Sequence, residues 1–335
     1  MAKPFAMSKL PAGIDSFLKS AGWVDASIDP IPGDASFRRY FRITASERKA
    51  MLMFAPPPEE DPQPFLHVAK WLNENDQRAP EIYAEDATQG WVLIEDFGND
   101  RMRDWLDDNP QGEDLAYRAA IDALVDLHRR PAGPFPAYDM SVYQRETALL
   151  TEWFCPAAGL EVDEPSYQNA WIEALGPMYA RQQPGVTVLR DYHAENIMLL
   201  GPAADGSGQQ GLIDFQDALV GHPAYDLVSL LQDARREVSP ELERDMLDHY
   251  LKQANADEHF EADYARLGAQ RNAKIVGIFT RLNQRDGKPH YLDFIPRVWE
   301  AMERDLLHPA LAPVAAWFDT NIPHPIRYAK GALPK

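Results

Sequence analysis

Cys155 is the only cysteine in this chain of 335 residues. One thiol closes no internal disulfide and suits a reducing compartment. Placed near a helix end, Cys155 reads as a small packing residue and not as a nucleophile. Cysteine and histidine form no cluster at ligand spacing, so zinc is not expected. Positive charge is scarce as well. The 33 Lys and Arg face 52 Asp and Glu, a net charge of −19. A chain so acidic lacks the basic footprint that nucleic acid requires. It must also gather its few cations locally to hold any polyphosphate. No apolar run reaches the length of a membrane span. The opening Met1-Ala2-Lys3-Pro4-Phe5 has no apolar run of signal-peptide length. The expectation is a soluble, cytoplasmic protein with no nucleic-acid partner, no membrane partner and no obligate protein partner.

What is present is concentrated in two short segments. Residues 189–196 read Leu-Arg-Asp-Tyr-His-Ala-Glu-Asn, and 212–217 read Leu-Ile-Asp-Phe-Gln-Asp. Asp191 precedes Asn196 by five residues, and Asp214 closes the apolar run that follows. Phosphoryl transfer on a kinase-like fold needs this order: a base for the acceptor hydroxyl, then two oxygen ligands for magnesium. Magnesium is a hard cation that takes oxygen ligands. Asp214 offers a carboxylate and Asn196 an amide oxygen. An ionised Asp191 would accept a hydrogen bond from a substrate hydroxyl. Val186-Thr187-Val188-Leu189 is β-prone, and 197–200 and 211–213 are short apolar strands. The Gly/Ser/Gln-rich stretch 201–210 predicts a hairpin loop, which would bring Asn196 and Asp214 to one edge.

Along the rest of the chain, the pattern is strand-rich first and helical afterwards. The spacing predicts a helix over 14–22 and strands over 26–31, 38–44 and 50–54. A helix over 63–75 and strands over 81–84 and 91–95 follow. Alternation in the second strand sets Arg39, Phe41 and Ile43 on one face and Arg38, Tyr40 and Arg42 on the other. Between the first two strands lies Pro32-Gly33-Asp34-Ala35-Ser36-Phe37. A loop of small residues there can donate backbone N–H groups to phosphates. Helices are predicted over 101–107, 113–129, 141–154, 165–182, 223–236, 240–254, 259–282 and 291–306. The fold class is therefore α+β, as a small β-rich N-terminal lobe, a hinge and a larger helical lobe with the site in the cleft. The boundary falls between 1–97 and 98–335.

These motifs resemble those of the aminoglycoside phosphotransferase and choline kinase family, a two-lobed protein-kinase-like fold. The resemblance rests on Asp191 to Asn196, Ile213-Asp214-Phe215 and Gly221-His222-Pro223-Ala224-Tyr225-Asp226-Leu227. Leu124-Val125-Asp126-Leu127-His128 adds to it. Within the family, several stretches look like the bacterial anomeric kinases of cell-wall amino sugars. They are the run from Gly33 to Arg42 and the run from Leu189 to Asn196, with Arg285-Asp286-Gly287-Lys288 and Ile295-Pro296-Arg297-Val298-Trp299 adding to them. The resemblance implies ATP and Mg2+ as cofactors and a small amino-sugar substrate phosphorylated at its C1 hydroxyl. It implies Asp191 as base and Asn196 and Asp214 as metal ligands. Asp34, Ser36 and Arg38 would then hold the nucleotide, with Glu95 and Phe97 at the hinge. Other acceptors of the same fold (aminoglycoside, choline or homoserine) and an inactive nucleotide-binding module remain open at this point.

Two departures from the family pattern stand out. The third strand, Met51-Leu52-Met53-Phe54, lacks the family's phosphate-gripping Lys. Lys49 lies only at its start, and the following helix offers only Glu74, near its end. Arg38, Arg39 or Arg42 are the replacements available, since guanidinium groups clamp phosphate oxygens. Arg190 also stands where the family has Gly. The acceptor is expected to meet the helical lobe through Glu146, Trp153, His193, Arg281, Arg285 and Lys288. Paired donors from an Arg suit the carboxylate of N-acetylmuramate. Asp226 is expected to brace the catalytic loop, and Asp217 to lie just outside the metal pair.

Overall fold

A computed structural model describes residues 10–32, 37–201, 206 and 209–333. The chain divides into two compact units, Met1–Asn99 and Asp100–Lys335.

The first unit is built on a five-stranded antiparallel sheet in the order β1-β2-β3-β5-β4. Its strands are β1 (Ser27–Ile31), β2 (Arg39–Ala45), β3 (Arg48–Phe54), β4 (Ile82–Asp86) and β5 (Trp91–Glu95). Period-two alternation in β2 buries Phe41, Ile43 and Ala45. These pack with Leu52 and Leu93 beneath α1 (Ile14–Ser20), which contributes Ile14, Phe17 and Leu18. Trp91 anchors this core, stacked on Phe54 at 4.2 Å and on Phe17 at 5.9 Å. Helix α2 (Gln63–Glu74) buries Phe65, Leu66, Val68, Ala69 and Leu72 and is tied to β4 by the Lys70–Glu85 pair.

The second unit is helical. Its elements are α3 (Met102–Asp108), α4 (Glu113–Arg129), α5 (Met140–Leu149), α6 (Cys155–Ala157), α7 (Glu164–Arg181), α8 (Ala224–Leu231), α9 (Pro240–Ala254), α10 (Phe260–Asp286), α11 (Ile295–Leu306), α12 (Ala312–Asn321) and α13 (His324–Tyr328). Helix α10 is the spine. It packs on α5, α8 and α11, and most of its length from Phe260 to Thr280 is buried. Gly287, with φ +65°, ends it in the left-handed conformation that glycine adopts without steric cost. Two small ribbons lie among the helices. One pairs β6 (Val186–Val188) with β9 (Leu219–Gly221), and the other pairs β7 (Ile197–Leu200) with β8 (Gln209–Leu212).

Several boundaries differ from the sequence reading. The helix expected over 223–236 stops at Leu231. Asp233 turns the chain there by accepting the Arg235 N–H at 2.8 Å, a side-chain mimic of a backbone turn. The helix expected over 141–154 changes to a π turn at Leu150–Phe154, where α5 meets α10. The start of the helix expected over 291–306 is a 3-10 turn, Pro289–Phe294. Strand β9 and helices α12 and α13 were not anticipated. The predicted hairpin loop falls largely on 202–205 and 207–208, outside the described residues.

Candidate active site

The centre of the site is built by strand β6 running into Leu189-Arg190-Asp191. Arg190 has φ +71°, a left-handed conformation that disfavours any side chain. That explains the glycine of the family pattern at this position. Here two contacts hold the arginine in place. Asp226, fully buried in the first turn of α8, accepts the Leu189 N–H at 2.6 Å and the Arg190 N–H at 2.8 Å. The Arg190 guanidinium donates to Glu146 of α5 and lies 5.8 Å from the Tyr138 ring centroid. Burial pushes the Asp226 carboxyl up to about 7, against the pull of its two N–H donors.

Asp191 itself is half-buried. Burial alone would raise its carboxyl. Lys274 first, with Arg271 and Arg190, opposes that, and the balance holds it below the ordinary carboxylate range, in the ionised form a base needs. His193 is buried, and burial lowers its imidazole. Its Nε2 lies 3.4 Å from both Asn196 Nδ2 and Arg235 Nη1, which makes Nε2 an acceptor and the ring neutral.

Register places the other two motif residues. In the β7–β8 ribbon Ile197 faces Leu212, and the Ile213 N–H donates to the Asn196 carbonyl at 3.1 Å. Asn196 Nδ2 also donates to the Asp191 carbonyl at 3.0 Å and stands 3.4 Å from Asp214 Oδ2. Asp214 is exposed, in a left-handed turn with φ +59°, and Gln216 Nε2 donates to its Oδ1 at 2.9 Å. With its nitrogen committed to the Asp191 carbonyl, Asn196 keeps its amide oxygen as a ligand, and with the Asp214 carboxylate it offers two hard oxygens that would suit a magnesium ion keeping waters and phosphate as further ligands. Among the described residues no three His, Cys, Asp or Glu side chains group as for a metal ion. Asp217 is exposed, and its carbonyl accepts from Arg190 Nη1 at 3.5 Å.

Behind the loop lies a polar hub of which the sequence reading singled out only Glu146 and Arg190. Glu146 is 6% exposed. One of its oxygens takes Arg190 and Lys274 Nζ (3.2 Å), the other Tyr138 and Gln270 Nε2 (3.1 Å). Lys274 also donates to the Tyr225 hydroxyl at 2.7 Å. Burial works to raise the Glu146 carboxyl, but Lys274 and Arg190 lead the opposing influences and hold it low. Lys274, Arg271 and Gln270 come from α10. Their signal was a run of polar residues inside a long apolar helix, and the sequence reading looked instead to that helix's far end. There, Arg281 is half-buried with its Nε unpartnered. Arg285 is exposed and paired with the adjacent Asp286 at 2.7 Å. It lies eleven residues past Lys274, about 16 Å along the helix. The structure does not bring it to Asp191. Trp153 is half-buried in the π turn, and Lys288 follows the α10 cap.

In the first unit, Asp34 and Ser36 lie outside the described residues. Arg38 pairs with Glu60 at 3.3 Å, just ahead of α2. Arg42 is bound to Asp96, Asn99 Oδ1 and the Gly98 carbonyl. Arg39 lies over Phe41, 5.1 Å from its ring centroid. Lys49 and Glu74 are both exposed. Glu95 is gripped by Arg78, whose guanidinium also covers Phe97 at 4.7 Å. That pair holds the Glu95 carboxyl below the ordinary range.

Residues 27–269 match the family described as "Phosphotransferase enzyme family". An N-acetylmuramate/N-acetylglucosamine kinase of Caulobacter vibrioides is 36% identical, covering 94% of this chain and 98% of the relative. One of Pseudomonas aeruginosa is 37% identical, covering 84% and 85%. Among solved structures, choline kinase LicA from Streptococcus pneumoniae aligns with TM-score 0.60 and 14% identity over 89% of this chain and 96% of that one. The ADP-bound aminoglycoside phosphotransferase APH(2'')-Ib gives 0.57 and 12% over 84% and 95%. These structures share the fold, the protein-kinase-like one that the motifs implied. With a family match across most of its length and relatives above 30% identity, the chain belongs to the aminoglycoside phosphotransferase-type phosphotransferase enzyme family.

Proposed function

We propose that this protein is a cytoplasmic, ATP- and magnesium-dependent kinase for N-acetylmuramate and N-acetylglucosamine, acting on the anomeric hydroxyl. The observation that carries the reading is Asp191, held ionised beside the Asn196–Asp214 pair. The names of the relatives supply the acceptor. Asp191 accepts the proton of the C1 hydroxyl as that oxygen attacks phosphorus. Asn196 and Asp214 would hold the magnesium, which when bound neutralises charge on the transferring phosphoryl group. Asp226, Arg190 and Glu146 fix the loop, so that Asp191 needs no reorganisation as the reaction proceeds. His193 presents a neutral ring to the same loop. In the first unit, Asp34, Ser36 and Arg38 are assigned to the phosphates, and Glu95 and Phe97 to the adenine end. The pairing of Arg38 with Glu60 supports Arg38 as the replacement for the absent strand-three Lys.

The test is a coupled ADP-release assay with N-acetylmuramate, N-acetylglucosamine, choline and an aminoglycoside, on the wild type and on Asp191→Asn. Turnover is expected with the two amino sugars only. It should fall on the order of a hundred-fold or more in a folded Asp191→Asn protein. Turnover of choline or the aminoglycoside in preference to the sugars would overturn the acceptor. Near-normal activity of Asp191→Asn would overturn the base.

A further inference from the structure

Helix α10 carries three buried cationic side chains on its inner face, and two of them are satisfied. Arg266 donates to the Ala174 carbonyl at 2.7 Å and to Asp263 at 2.6 Å. Lys274 is held by Glu146 and Tyr225. Arg271, one turn before Lys274, is 4% exposed, and its Nε and Nη1 are buried with no partner. No carboxylate among the described residues pairs with it. An unpaired buried charge is among the most costly features a fold can carry.

The carboxylates it influences are Asp191 and Asp226. Both oxygens of Asp226 are already taken by backbone N–H groups, and Asp191 faces the acceptor hydroxyl. Neither completes Arg271, so its buried Nε and Nη1 remain donors without a partner, which an anion bound beside Asp191 would satisfy.

We propose that Arg271 binds the acceptor's carboxylate and so reads N-acetylmuramate against N-acetylglucosamine. This rests on the acceptor assigned above. The two sugars differ by a lactyl ether at C3, two ring carbons from the C1 hydroxyl that Asp191 deprotonates. A sugar with C1 at Asp191 therefore keeps its carboxylate within one side-chain length of the base. N-acetylglucosamine has nothing to place there and leaves Arg271 unpaired.

The experiment compares kcat/KM for both sugars in the wild type, Arg271→Met and Arg271→Lys, with urea unfolding of each free protein. In Arg271→Met the ratio of kcat/KM, N-acetylmuramate over N-acetylglucosamine, should fall roughly ten-fold or more, mainly through KM. Arg271→Lys, which keeps charge without the fork, should fall in between. The free Arg271→Met protein should be at least as stable as the wild type, because an orphan charge is gone. If Arg271→Met does not fold, Arg271 is structural and the proposal fails. It fails equally if both sugars lose activity by the same factor, which marks a phosphate contact, or if neither does. Turnover of neither sugar by the wild type removes the acceptor assignment itself and this proposal with it. An unchanged ratio, with both sugars turned over, removes the Arg271 assignment alone.

Discussion

Arg190 is a side chain in a conformation that suits glycine, and it is tolerated because Glu146 and Asp226 hold it from both ends. The two ends respond differently to mutation. Glu146→Gln leaves Arg190 and Lys274 facing a neutral partner in a buried site. It should cost about 3–5 kcal/mol, as breaking one side of a buried pair does. Arg190→Gly leaves Glu146 with Lys274, Tyr138 and Gln270 and relieves the backbone, so its cost should stay below about 2 kcal/mol. Urea unfolding of both variants ranks them, and the reverse order would refute this account of the hub. Asp226 adds a pH dependence. Its folded-state value, about 7, lies above the ordinary carboxylate value of 3.8. The folded protein therefore holds the extra proton between those values. The contribution is fully present below about 4 and is lost as pH rises through about 7. The stability gap between wild type and Asp226→Asn should widen as pH falls from 7 to 5, as measured by chemical denaturation at both values. A constant gap would show that Asp226 stays ionised across the range.

Pairing register decides which side chains meet at the level of elements. The β7–β8 ribbon binds Asn196 to Ile213, and so sets Asp214 one residue beyond the paired segment. Asp217 lies three residues further on, and it meets Arg190 through its carbonyl and not its carboxylate. Asp214→Ala should therefore remove magnesium-dependent turnover far more completely than Asp217→Ala, as a magnesium titration of both variants would show. Equal losses would mean that the ligand is misassigned. The meeting of α5 with α10 depends on Gly277. A Cβ there would lie 2.3 Å from the Leu149 backbone, immediately before the π turn. Gly277→Ala should destabilise the protein by about 1–3 kcal/mol, read as a lowered urea midpoint. A neutral result would show that the two helices can part at little cost. Strands β6 and β7 were legible because each is an apolar run next to turn residues; β8 was legible only at its apolar end, since Gln209 and Gln210 fall in the expected loop and pair because β7 lies beside them. Strand β9 was not legible. Leu219–Gly221 is only three residues long, and it becomes a strand because β6 lies beside it.

At the scale of the whole molecule, sequence alone determined the division into a strand-rich part and a helical part. It also determined the Asp191, Asn196 and Asp214 triplet. Hydrophobic period and residue spacing are local quantities, and both features are written in them. It showed the Arg190 departure too, though not its consequence, because φ is not written in the residue name. Tertiary structure decided which charges surround the base. Lys274 and Arg271 lie some eighty residues from Asp191 in the chain. They reach its neighbourhood only because α10 packs against α5 and α8. The same packing turned Glu146 from an expected acceptor contact into the partner of Arg190 and Lys274. Arg285 was left at the exposed end of the helix, against Asp286. Electrostatic partnership depends on distance through space and on burial, and neither is fixed until the helices have packed.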